Sequence, residues 1–145
     1  MSRLRVFCLV ALGLPIAYAA VDEDGFVRIK PSEIVFEVGN PGGPEIALLA
    51  GDPEKEGFYL LRARFAPGVF SSPHYHSSDR NVTVIQDTWY AGGGEDCDRD
   101  NEVPLGEGSE MKKPDGRNHQ GGAKGKGVIV EIKGIGPATT MRLPR

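Results

Sequence analysis

The sequence predicts an all-β domain, and three observations carry that expectation. Glycine (20) and proline (11) are frequent among 145 residues, and both interrupt regular elements. Beyond residue 20 no long stretch repeats apolar residues at helical spacing. In its place, short runs of alternating apolar and polar side chains lie between turn residues, the pattern of a sandwiched or closed antiparallel sheet. The length suits a single domain.

Taken in order, Val21–Gly25 is acidic and reads as loose chain. Phe26–Ile29 and Glu33–Glu37 alternate and read as strands on either side of Pro31. Residues 39–44 are a Gly/Pro loop, and Glu45–Leu49 is a strand ending at the Gly51-Asp52-Pro53 turn. Phe58–Phe65 is a strong strand, with Tyr59, Leu61, Ala63 and Phe65 on one face and Leu60, Arg62 and Arg64 on the other. Ala66-Pro67-Gly68 turns the chain towards His74–His76. Asn81–Ile85 is β-branched from Val82 onward. Gln86-Asp87 connects it to a return strand at Thr88–Ala91, without the glycine that a primed hairpin turn favours. Residues 92–108 form the longest irregular stretch. Ser109–Lys113 resumes β character, Pro114-Asp115-Gly116 is a turn that delivers His119, and Val128–Lys133 and Thr139–Leu143 close the chain. The sum is about nine to eleven short strands and no helix.

The first residues differ from the rest. Met1–Arg5 is basic, residues 6–16 are apolar, and Ala17-Tyr18-Ala19 puts small residues where a signal peptidase reads. Residues 1–19 are therefore expected to be a secretory signal peptide, residues 20–39 an N-terminal segment and residues 40–145 the barrel domain. The apolar run is short for a bilayer span. The expected location is periplasmic or secreted, with no membrane insertion after cleavage. Loss of Arg3 and Arg5 leaves 15 basic against 20 acidic residues, a net charge of −5. Such a surface argues against a nucleic-acid partner. Of two cysteines only Cys97 remains after cleavage, so no internal disulfide is expected. Its thiol is left free, paired with another chain or used on a metal.

The chemistry is concentrated in the three histidines. In an extended strand, His74 and His76 point to one face, close enough to share an ion. His119 follows the second Gly/Pro turn, and a site exists if the fold brings it beside the first pair.

These residues resemble the cupin superfamily, double-stranded β-helix or jelly-roll barrels. Gly68, His74 and His76 stand at positions of the first cupin motif, with Arg80 in place of its glutamate and Asp87 in place of its last glycine. Gly108, Pro114, Gly116 and His119 stand at positions of the second, with Ala123 in place of its asparagine. The Gly51-Asp52-Pro53 turn, the Asn81–Val84 strand and the closing Gly134-Ile135-Gly136-Pro137 also look like exported single-domain bacterial cupins. The resemblance implies a divalent metal (Fe, Zn, Mn, Ni or Cu) held by His74, His76 and His119. It further implies a small-molecule ligand, dioxygenase, isomerase, lyase or hydrolase chemistry, and a homodimer paired through outer sheets.

Arg80 is the departure that matters. A unit positive charge about 5 Å from a divalent ion costs roughly 6–7 kcal/mol at an effective dielectric of 20. Three arrangements resolve the conflict. Arg80 points outward, paired with Asp79; or Asp79 replaces the lost glutamate as fourth ligand and serves as a base; or Arg80 faces inward and holds an anionic substrate. A register shift after the histidine pair would achieve the first two together. Among weaker features, Asp96–Glu107 spaces carboxylates like a calcium loop but has Asn101 where glycine belongs and no flanking helices, so it reads as a solvated acidic loop. Trp89 and Tyr90 read as barrel packing, and Tyr75 should point away from the histidines.

Overall fold

The computed structural model describes residues 21–94 and 98–143. The expected signal peptide at 1–19 and Cys97 lie outside the described residues.

Eleven strands form two antiparallel sheets. They are β1 (Glu37–Val38), β2 (Glu45–Ala50), β3 (Gly57–Phe65), β4 (His74–His76), β5 (Arg80–Gln86), β6 (Trp89–Gly93), β7 (Val103–Leu105), β8 (Glu110–Lys113), β9 (His119–Gly122), β10 (Val128–Gly136) and β11 (Thr140–Arg142). One sheet runs β1-β2-β3-β10-β5-β8 and the other β11-β4-β9-β6-β7. The order is the double-stranded β-helix the sequence predicts: strands distant in the chain become neighbours, and the chain winds between two facing sheets. Among the described residues there is no α-helix, only short 3₁₀ turns at Pro31–Glu33 and Arg99–Asn101. None of their helices is long and apolar enough to cross a membrane.

Side-chain alternation decides which faces meet. In β3, Tyr59, Leu61, Ala63 and Phe65 are buried, the parity read from the sequence. Val82 and Val84 of β5 and Val128, Val130 and Ile132 of β10 join them, with Trp89 from the opposite sheet. Each fully buried side chain of this size contributes about 1.5–3 kcal/mol relative to exposure. The outward parity carries charge: Arg62 pairs with Glu131 at 3.0 Å and Arg64 with Glu45 at 2.6 Å.

Two expected strands differ. Phe26–Ile29 makes only a single bridge, Val21 with Val27. Glu33–Glu37 is a strand only from Glu37, because Pro31 starts a 3₁₀ turn whose end, Ile34, donates back to Pro31 O. A proline pre-sets the φ of such a first turn and has no N–H to give a ladder. The β5–β6 connection is a third point of interest. Asp87 adopts φ 62°, the left-handed region that glycine enters freely. It thus performs the turn that the cupin motif assigns to glycine.

Candidate metal centre

His74 and His76 share one parity of the three-residue strand β4, and His74 lies directly opposite His119 on β9. Adjacent positions on paired strands bring side chains within contact distance. The ring centroids are 4.8 Å apart for His74–His76, 4.4 Å for His74–His119 and 5.0 Å for His76–His119. One ligand atom from each histidine falls within 4.8 Å of the others. Among the described residues this is the one such group of three or more.

The turn before β9 is built to make that approach. Gly116, at φ 68°, donates its N–H to His76 O at 2.9 Å, tying the turn to β4. Asp79 Oδ1 accepts from Asp115 N at 2.9 Å, and Asp79 Oδ2 pairs with Lys112 Nζ at 2.6 Å. Its half-exposed carboxylate therefore anchors the turn and is not part of the histidine group. The sequence expectation of Asp79 as fourth ligand or base gives way to this holding role. No register shift of the kind envisaged carries it inward, since β5 begins in register with β8 at the very next residue.

The rings are oriented for coordination. His74 Nδ1 lies 2.6 Å from Ser72 O and His119 Nδ1 2.9 Å from Arg117 O. A backbone carbonyl only accepts, so each Nδ1 carries the proton and donates, leaving Nε2 a bare lone pair. His76 Nδ1 is 3.1 Å from Thr140 Oγ1, its cross-strand partner on β11. Nε2 of both His76 and His119 is buried without a hydrogen-bond partner. Buried nitrogens with no partner are rare in folded proteins, and a metal ion would satisfy them. Burial holds all three imidazoles neutral: His74 is pushed down to about 4, His119 to about 3 and His76 to about 2. Neutral imidazole is the metal-binding form, and a carbonyl behind His74 and His119, with a hydroxyl behind His76, is the kind of support a ligating ring has.

Arg80 is inside. It is 8% exposed, its guanidinium lies 5.7 Å from the Tyr59 ring centroid, and its Nη2 donates to Ala138 O at 3.4 Å. The outward pairing with Asp79 is thereby overturned: Arg80 shares the inward parity of Val82 and Val84. Beside it is a residue the sequence reading passed over. Lys113 is 6% exposed, sits directly opposite Arg80 across β5 and β8, and stacks its Nζ 4.9 Å from the Trp89 ring. Burial, with the Arg80 charge next, pushes its ammonium down to about 7. The lone signal in the sequence was parity, since Lys113 alternates with Met111 on β8.

The acidic loop is simpler than a calcium site. Asp98 accepts from Asp100 N at 3.0 Å and from Asn101 Nδ2 at 3.1 Å, so its carboxylate serves its own turn.

Solved structures share this architecture at low identity. The polyketide cyclase RemF from Streptomyces resistomycificus superposes with a TM-score of 0.65 at 17% identity, over 81% of this chain and 87% of its own. An RmlC-like cupin from Shewanella frigidimarina gives 0.58 at 15% identity, over 72% and 86%. The fold is that of the cupins. A cupin sugar phosphate isomerase from Silicibacter pomeroyi adds a TM-score of 0.64 at 18% identity, over 81% and 82%. No protein-family model and no curated protein matches the sequence. At these identities the likeness establishes the cupin fold alone, and the chemistry has to come from this chain's own residues.

Proposed function

We propose that this cupin is a metal-dependent enzyme of the periplasm or extracellular space, acting on a small organic molecule at His74, His76 and His119. The observation that carries the reading is the pair of buried, partnerless Nε2 atoms in a cluster of three neutral imidazoles. The donor set suits zinc, iron, copper, nickel or manganese. Three protein ligands leave coordination positions for water and substrate, the mark of a catalytic site. When bound, the ion supplies Lewis acidity or an activated oxygen nucleophile.

The chain's own residues do the rest. Ser72 O, Arg117 O and Thr140 Oγ1 hold the imidazole orientations. Burial, with the Arg80 and Lys113 charges nearby, keeps the rings neutral. The compartment assignment rests on the basic, apolar and small-residue pattern of residues 1–19. A homodimer is supported by the apolar pair Phe58 and Ile135, opposite each other on β3 and β10, on the outer parity and both exposed.

A non-catalytic binding role is the second reading, favoured by the absence of any carboxylate from the histidine cluster. Elemental analysis of the purified protein tests the site itself. One divalent ion per chain is expected, and His119→Ala should lose it. A protein that neither retains a metal nor takes up one zinc per chain on titration would end the proposal.

A further inference from the structure

The inner face of the six-stranded sheet carries a row that the metal site does not use. Register places Tyr59 opposite Gly134, Gly134 opposite Arg80, and Arg80 opposite Lys113, so four adjacent strands contribute one line of side chains. Directly paired residues point to one face, and burial shows that this face is the interior. The glycine makes room for the row: a Cβ on Gly134 would lie 2.7 Å from Tyr59 Oη. Tyr59 Oη and Arg80 Nε are both buried, and neither has a hydrogen-bond partner beyond the contact of the phenol with the guanidinium itself.

Two features of this row are costly for a fold alone. Like charges directly opposite each other on a sheet repel. Buried cations ordinarily have a carboxylate partner. Among the described residues neither Arg80 nor Lys113 forms an ion pair, although four other lysines and arginines on the same sheet's strands do: Arg62, Arg64, Lys112 and Lys133. Both cations also lie close enough to the three histidines to disfavour their protonation. A guanidinium, an ammonium and a phenol are together a donor set for an oxyanion, with the planar guanidinium suited to two oxygens at once.

We propose that Arg80, Lys113 and the Tyr59 hydroxyl form an oxyanion site beside the three histidines, and that the ligand of this cupin carries a carboxylate or phosphate group there. This deepens the reading of the histidines as a metal centre and rests on it for the ligand's other end. The bound anion would offset the two positive charges that otherwise oppose a divalent ion, so anion and metal should bind with positive coupling. Coupling of this kind is reciprocal.

The test uses the mature chain, stripped of metal, in chloride-free buffer. Acetate and methylphosphonate are titrated separately by calorimetry, and zinc affinity is then measured with and without each. Saturable one-site anion binding is expected, weakened at least tenfold in Arg80→Gln and in Lys113→Met. Zinc should bind several-fold more tightly to the wild type when the preferred anion is present. The stronger of the two probes identifies the source as a carboxylate or a phosphate. Lys113→Met keeps the length and apolar packing of the stem, so it remains informative if Arg80→Gln does not fold. Absence of saturable binding, or unchanged binding in both folded variants, overturns the oxyanion site while one-to-one zinc uptake in the same sample leaves the metal centre standing. Anion binding lost in the variants, without any zinc uptake, upholds this site and removes the metal centre.

Discussion

Acidification should destabilise the metal-free protein well before its carboxylates titrate. All three histidines have folded values at or below about 4, against 6.5 for the ordinary side chain. Between those values the unfolded chain binds protons that the folded chain refuses. The histidine contribution to stability is therefore intact above about pH 6.5 and falls with pH through the window below it, while Lys113, held near 7, adds a separate gain as pH rises above that value. At pH 5 each histidine is protonated in the unfolded state and neutral in the fold, at a cost of about 2 kcal/mol relative to pH 7.5. The three together give about 6 kcal/mol, comparable to the whole stability of an ordinary domain. The result is insensitive to how far below 4 each value lies. Those lowered carboxylates, Asp52, Asp79 and Glu110, act at lower pH because their ordinary values are 3.8 and 4.5. Urea unfolding from pH 7.5 to 5, after exhaustive chelation, measures the slope. Uptake of two to three protons on unfolding is expected near pH 5.5, and His119→Ala should remove about one of them. Zinc should raise stability by mass action at pH 7.5 and keep that effect at pH 5, because the folded histidines are neutral at both pH values and the unfolded ones are protonated at the lower. A metal-free protein equally stable at both pH values would refute the burial argument and the neutral state of the cluster with it.

Three further outcomes follow from named contacts. Lys113→Met should stabilise the metal-free protein by about 1–3 kcal/mol at pH 7, because it removes a buried cation facing Arg80; destabilisation in urea would mean the Trp89 contact outweighs the charge. Asp79→Ala should lower the urea midpoint slightly by freeing Asp115 N and Lys112, yet keep one zinc per chain by calorimetry; loss of zinc would restore Asp79 as a ligand. Thr140→Val should weaken zinc about tenfold with unchanged stoichiometry, because His76 Nδ1 loses its supporting hydroxyl; unaltered affinity would make that contact incidental.

The barrel was legible where strands alternate and turns carry glycine or proline. Tyr59, Leu61, Ala63 and Phe65 went to the core on parity alone. The histidine cluster was legible because two partial motifs put three imidazoles at fixed distances from turns. Phe26–Ile29 misled because alternation supplies a face but does not name a partner, and the one pairing this segment makes is the local bridge of Val27 to Val21. Asp79 misled because a carboxylate next to a histidine pair has two uses, ligand or anchor. Lys112 and Asp115 N, which decide between them, arrive from another part of the chain.

Lys113 shows where single-strand reading stops. Its neighbours in sequence, Lys112 and Pro114, give no sign that its charge is buried. Its meaning depends on the register of β8 against β5, which puts it opposite Arg80 and not opposite Asn81. A slip of one residue would turn Lys113 outward and bring Lys112 in. The turn at Pro114–Gly116 pins that register by bonding at once to Asp79 and to His76. The same turn delivers His119 to β4. One short loop thus fixes the third histidine and the second buried cation together, so any change that loosens it should weaken metal and anion binding in parallel.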